Sequence, residues 1–298
     1  MKNILEISHL YKNYGRIKAV HDLSLTVEPG SVFGLLGPNG SGKTTTLGVI
    51  LDVVSKTKGE YTWFGEAPSH HARKKVGAIL EAPAFYPYLS AIENLKVVAQ
   101  IKEIGYNRID PVLEKTGLID RKNDRYQTYS LGMKQRLAIA SALLSDPFVL
   151  VLDEPTNGLD PQGIADVREL IMKISSEGKT IILASHLLDE VQKVCTHFAV
   201  LNKGKAVYSG SVEEALSNSE TIEVAAPNMN ELLQSVLEYE HTKEARKNHQ
   251  KIVVHLSNGK SVHDFNTYLV SKGVIVSYLA TERKNLEEQF LEILSQSK

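Results

Sequence analysis

At 298 residues the chain is too long for one ordinary small domain and long enough for a large domain joined to a smaller one. Apolar residues make up 42% of it, and 34 basic against 35 acidic residues leave a net charge of −1. That balance excludes wholesale disorder and any general electrostatic pull toward nucleic acid or anionic lipid, so a partner has to be recognised locally.

The single Cys195 excludes an internal disulfide and reads as a buried, inert thiol in a reducing compartment. Residues 1–10 lack an apolar leader core, and the most apolar later stretch, residues 137–152, is interrupted by Asp146 and Pro147. The expectation is a chain that does not span a membrane itself.

In chain order, residues 1–30 read as short strands punctuated by Asn13, Gly15, Pro29 and Gly30, followed by a buried strand at 31–36. A glycine-rich turn leads into a helix from Lys43 to about Val53, and a further strand is expected at 76–80. Helical periodicity dominates residues 82–145, including 92–104 and 133–144. Strand and helix then alternate at 148–152, 161–176, 180–184, 187–194 and 198–201, a pattern that argues for a mostly parallel sheet covered by helices.

A short helix at 212–216 closes the first domain, 1–216, and the polar stretch 217–220 opens a second, 217–298. There the pattern predicts strands at 221–224, 252–256 and 274–279, helices at 230–237 and 261–271, and a terminal helix from about Asn285. Residues 238–250 are polar enough to read as a mobile loop, and the whole suggests a small α+β module.

The chemistry sits in the first domain. Gly37-Pro38-Asn39-Gly40-Ser41-Gly42-Lys43-Thr44 has the spacing of a phosphate-binding loop between a predicted strand and a predicted helix. Glycines let backbone N–H groups converge on phosphates, the helix start presents its positive end, Lys43 reaches the β and γ phosphates, and Thr44 ligates Mg²⁺; Thr45 extends the ATP-binding stretch. The apolar run 148–152 ends in Asp153 and Glu154, at the strand end where parallel α/β sheets bind ligands. Asp153 suits a metal, directly or through water, and Glu154 suits polarisation of the water that attacks the γ-phosphate.

These residues together resemble the nucleotide-binding domains of ABC transporters across roughly residues 3–215. Tyr129-Ser130-Leu131-Gly132-Met133-Lys134-Gln135-Arg136 is similar to the family signature LSGGQ, Asn157-Gly158-Leu159-Asp160 to its D-loop, His186 to its switch histidine, and Tyr14 to the aromatic that stacks on adenine. The resemblance implies an α/β cassette with a RecA-like, mostly parallel core, an antiparallel β subdomain and a helical subdomain at about 82–145. It also implies an ATPase whose cofactors are ATP and Mg²⁺. Each ATP would be clasped between one protomer's phosphate loop and the signature of a second: Ser130, Leu131, Gly132, Met133 and Gln135, with Asp160 from the D-loop. The implied partners are a second cassette, identical or different, and an integral membrane permease. The implied location is cytoplasmic, on the inner face of the membrane, with no nucleic acid involved.

Two positions depart from the family pattern. Leu131 replaces the first signature glycine, which excludes unstrained positive-φ backbone there and predicts a weakened phosphate contact. Glu81 stands where the family usually has a glutamine near Mg²⁺, bringing an extra negative charge to the metal. Residues 81–90, with Phe85, Tyr86 and Tyr88, resemble the bacitracin and lantibiotic self-protection branch of peptide exporters, as do Leu131 and the terminal pattern at 285–291. In family members that aromatic segment precedes the place that receives a permease helix. Alternatives are a soluble ABC-type ATPase acting on ribosome or nucleic acid, and a regulator that binds nucleotide without hydrolysing it. The absence of a second cassette, of heptad arms and of basic excess argues against the first. His241, His249, His255 and His263 lack metal-ligand spacing and read as surface residues.

Overall fold

The computed structural model describes residues 2–80, 85–217, 220–257 and 260–283, together with Leu286 and Phe290. Glu81, the start of the segment at 81–90 and most of the terminal helix expected from Asn285 lie outside them. The described chain forms two compact units, divided between Val212 and Glu213.

The first unit opens with β1 (Leu5–Tyr14), β2 (Ile17–Val27), β3 (Val32–Leu36), α1 (Lys43–Ile50) and β4 (Lys58–Trp63), followed by α2 (His70–Lys74) and β5 (Val76–Ile79). Three longer helices come next: α3 (Ala91–Ile101), α4 (Ile109–Lys115) and α5 (Leu131–Leu143). It continues through β6 (Val149–Asp153), α6 (Pro161–Ser176), β7 (Thr180–Ser185), α7 (Leu188–Val194), β8 (His197–Asn202) and β9 (Lys205–Ser211). Strands order as β5-β6-β7-β3-β8-β9 in one sheet, parallel except for β9, and as β2-β1-β4 in an antiparallel sheet.

Strands β3, β6 and β7 bury every residue, as expected of parallel strands covered on both faces. Gly34 marks how closely α7 lies on β3: a Cβ there would come within 2.9 Å of Val191 Cγ1 and 3.0 Å of Cys195 Sγ. Helix starts follow local chemistry. Ser90 and Glu93 form a reciprocal capping box on α3, Ser130 caps α5, and Asp160 caps α6 ahead of Pro161.

Residues 1–30 are two long strands rather than several short ones. Backbone irregularities, with His9 at φ 48° and Asp22 at φ 57°, bend the β1–β2 pair without ending it. Strand β9 was not anticipated. Lys203 and Gly204 both have positive φ, the backbone of a tight hairpin turn, so β8 returns immediately as an antiparallel edge.

Helix α8 (Val212–Ser217) spans the division. The second unit then has β10 (Glu220–Ala225), α9 (Met229–Glu238), β11 (Thr242–Asn248), β12 (Lys251–Leu256), α10 (Val262–Ser271) and β13 (Tyr278–Arg283). Its strands are antiparallel in the order β11-β12-β10-β13, a split βαββαβ module. Ile222, Val224, Leu232, Val236, Ile252, Val254, Phe265 and Leu269 form its core.

Two expectations are corrected here. The polar segment 238–250 contains strand β11: as an edge it faces solvent, and Ala245 alone of its residues packs against the core. The strand expected at 274–279 begins at Tyr278, because α10 ends in a Schellman turn. Gly273 takes φ 77°, its N–H bonds the Val270 carbonyl, and the Val274 N–H bonds the Leu269 carbonyl, so Val274 is buried against the core as a helix cap.

Candidate functional site

Four parallel strands end on the same edge of the large sheet. After β3 comes the glycine-rich loop, β6 ends in Asp153 with Glu154 following it, and after β7 comes His186; β8 leads to the turn at Lys203 and Gly204. Because β6, β7 and β3 are adjacent, groups far apart in sequence meet there.

The loop is a built cradle. Gly37, Gly40 and Gly42 have φ of 155°, 79° and 106°. A Cβ on Gly37 would lie 2.4 Å from the Leu201 carbonyl oxygen, and one on Gly42 would lie 2.4 Å from that of Ala19, so glycine is required by space as well as by backbone at both positions. The Gly204 N–H donates to the Ser41 carbonyl at 3.0 Å, and the His21 N–H donates to the Gly204 carbonyl at 2.8 Å. Strand β2 and the β8–β9 turn thus brace the loop. That bracing was missed in the sequence; Asn202-Lys203-Gly204 between apolar runs was the signal that could have found it.

Pro38, Asn39 and Gly40 are exposed at the rim, Thr44 is exposed on the first turn of α1, and Thr45 is partly buried. Ser41 is 2% exposed, and its hydroxyl has no hydrogen-bond partner among the described residues. A buried polar group in that position fits an anion ligand.

Lys43 is 6% exposed. Its ammonium donates to the Gly37 carbonyl at 2.8 Å and lies 3.4 Å from Glu154 Oε1. The other Glu154 oxygen lies 2.7 Å from His186 Nδ1. Glu154 itself sits at φ 47°, with its N–H bonded to the Ala184 carbonyl of β7. A non-glycine residue in that region is strained, and here the strain turns the carboxylate back over the loop. Asp153, one residue earlier, is buried.

Tyr14 is exposed at the tip of the β1–β2 hairpin, with the Lys12 ammonium 4.7 Å from its ring centroid. Ser130, Leu131, Gly132, Met133 and Gln135 lie together at the start of α5, where the Ser130 hydroxyl accepts the Met133 N–H at 3.2 Å. Leu131 is the first residue of that helix and is not among the described residues with positive φ. The expected backbone conflict is therefore absent: the position asks for an ordinary helical conformation. The Leu131 side chain reaches the D-loop, where a Cβ on Gly158 would lie 3.4 Å from its Cδ2. Asp160 accepts the Gly163 N–H at 2.9 Å as the cap of α6.

Residues 20–157 match the model of a family described as ABC transporter. The uncharacterized ABC transporter ATP-binding protein YhcH of Bacillus subtilis is 36% identical over 100% of this chain and 98% of its own. The chain belongs to the ABC transporter family. A bacitracin transport ATP-binding protein, BcrA of Enterococcus faecalis, is 31% identical over 99% of this chain and 97% of its own, so this ABC protein resembles it through both units. Among solved structures, cbiO1 of Clostridium perfringens, part of the ABC transporter complex cbiONQ, matches with a TM-score of 0.67 at 27% identity, covering 73% of this chain and 92% of that one.

The protein is thus an ABC transporter ATP-binding subunit and an ATPase, with the P-loop cassette fold expected from its motifs. No helix among its described residues is long and apolar enough to cross a membrane. The matched segment contains the glycine loop, the α5 start, Asp153 and Glu154, while Tyr14, Asp160 and His186 lie outside it.

Proposed function

We propose that this subunit hydrolyses ATP to drive export of a peptide antibiotic or similar compound through a separate membrane permease, working as one of two facing cassettes. The observation that carries the reading is the Lys43–Glu154–His186 constellation beside a braced glycine cradle. The full-length similarity to a bacitracin transport protein supports the export direction. Through the permease the subunit would sit at the inner face of the cell membrane.

In this reading, backbone N–H groups of residues 39–45 and the positive end of α1 hold the phosphate chain, Lys43 neutralises the β and γ oxygens, and the Tyr14 ring stacks on adenine. Glu154 accepts a proton from the attacking water as the bond from the γ-phosphorus to the bridging oxygen breaks, giving ADP and phosphate. His186 orients Glu154 and donates toward the γ-phosphate.

Thr44 and Asp153 are hard oxygen donors beside the cradle and fit Mg²⁺, which binds proteins through one or two such groups plus substrate phosphates. Bound there, the ion would offset phosphate charge. The role of Glu81 at the metal rests on its sequence position. Ser130 uses a lone pair to cap α5 and keeps its O–H to donate, so it and the helix start can receive the γ-phosphate of an ATP held by a second protomer.

The test is purification of tagged Glu154→Gln protein with ATP from mildly solubilised native membranes, alongside a phosphate-release assay. The reading expects a polytopic membrane protein to co-purify and hydrolysis to be lost. Ribosomal or DNA partners without a permease would overturn the transport assignment, and hydrolysis at the parental rate would overturn the role of Glu154.

A further inference from the structure

At the opposite end of the large sheet from the nucleotide site, the first unit has a cavity of about 590 Å³. Its wall is formed by α2 (His70, Arg73, Lys74), the first residue of β5 (Val76), the end of α3 and the turn beyond it (Ile101, Lys102, Glu103, Ile104), and Ser145. Its volume lies within the range of small-molecule sites.

The lining divides by chemistry. Val76, Ile101 and Ile104 provide hydrocarbon, and Ile101 is 77% exposed. Three basic side chains, those of Arg73, Lys74 and Lys102, stand against one carboxylate, that of Glu103. Arg73 is compensated outside the cavity by Asp52 at 2.6 Å. The Lys74 side chain is exposed and has no ion pair or hydrogen bond among the described residues. The Lys102 side chain is exposed, and its ammonium reaches only a neutral acceptor, the Ser141 carbonyl at 3.0 Å. An anion at this groove would pair with both lysines, neither of which has a carboxylate partner among the described residues. The α3 end is fixed by a turn in which Glu103 has φ 56°, with the Ile104 N–H bonded to the Ala99 carbonyl, which sets Ile101, Lys102 and Ile104 together in one part of the wall.

We propose that this cavity binds a small amphiphilic carboxylate, its head between Lys74 and Lys102 and its hydrocarbon body against Val76, Ile101 and Ile104. None of these residues belongs to the nucleotide site, so the inference stands apart from the functional reading above.

The experiment is calorimetric titration of the full chain with decanoate, compared with acetate and decyltrimethylammonium. Decanoate should bind at one saturable site, and the Lys74→Gln/Lys102→Gln variant should bind at least about tenfold more weakly. Ile101→Gln, a change at an exposed position, should weaken decanoate binding while leaving thermal stability in place. In the unmodified protein, decanoate should shift the His70 imidazole resonances, a readout that needs no variant to fold. Acetate binding as tightly as decanoate, decyltrimethylammonium binding as tightly, or decanoate affinity unchanged in these variants would each overturn the proposal.

Discussion

His186 Nδ1 lies 2.7 Å from Glu154 Oε2, which joins the ends of β7 and β6 through one carboxylate. The other oxygen of that carboxylate faces Lys43 at 3.4 Å. Replacing His186 with Ala removes the partner that orients Glu154 while leaving the carboxylate in place. We expect phosphate release to fall by about 10²-fold or more, with a smaller loss in His186→Gln, which keeps a hydrogen-bonding group. Steady-state kinetics on both variants, with ATP binding measured in parallel, separates positioning from affinity; equal activity in His186→Ala and the parent would remove His186 from the mechanism.

Leu131 begins α5 in ordinary helical backbone and touches the D-loop at Gly158. Restoring the family glycine with Leu131→Gly should therefore not tighten ATP binding. Gly158→Ala is the damaging change of the pair: φ is 76° there and the new methyl meets Leu131 Cδ2, so a loss of about 1–2 kcal/mol is expected. Denaturant midpoints for both variants, with nucleotide affinities, check this.

The Glu93 carboxyl is held below its ordinary value of 4.5 by the backbone N–H of Ser90 and then by the Ser90 hydroxyl. An acid with a lower pKa folded than unfolded adds stability above the ordinary value and loses it as pH falls through the depressed one. The stability gap between the parent and Glu93→Gln should thus be present at neutral pH and close in acid. Ser90→Ala, which removes the cap itself, should cost about 1 kcal/mol.

Burial raises the Cys195 thiol well above its ordinary value, since its sulfur is packed beneath β3. Thiol reagents at neutral pH should modify it only after unfolding. Gly34→Ala would drive a methyl to within 3.0 Å of that sulfur and 2.9 Å of Val191, an overpacking cost of about 1–3 kcal/mol measurable by thermal melting. Rapid labelling of the folded parent would contradict the packing at β3.

The sequence alone determined the parts whose physics is local. The spacing from Gly37 to Thr44 needs no distant residue to be read as a phosphate loop, and Pro161–Ser176 announces itself through its aspartate cap, its proline and its apolar period. The apolar run ending in Asp153 and Glu154 is of the same kind. Tertiary structure decided what depends on neighbours. Strand β11 is polar because it is an edge, and Val274 is apolar because it caps a helix against the core, so neither pattern matches its conformation in isolation. The meeting of Lys43, Glu154 and His186 follows from the strand order β6-β7-β3, and the bracing of Gly37 and Gly42 follows from backbone carbonyls at Leu201 and Ala19. A carbonyl is common to every residue, so its approach to a glycine leaves no mark in the sequence until the sheet brings the two together.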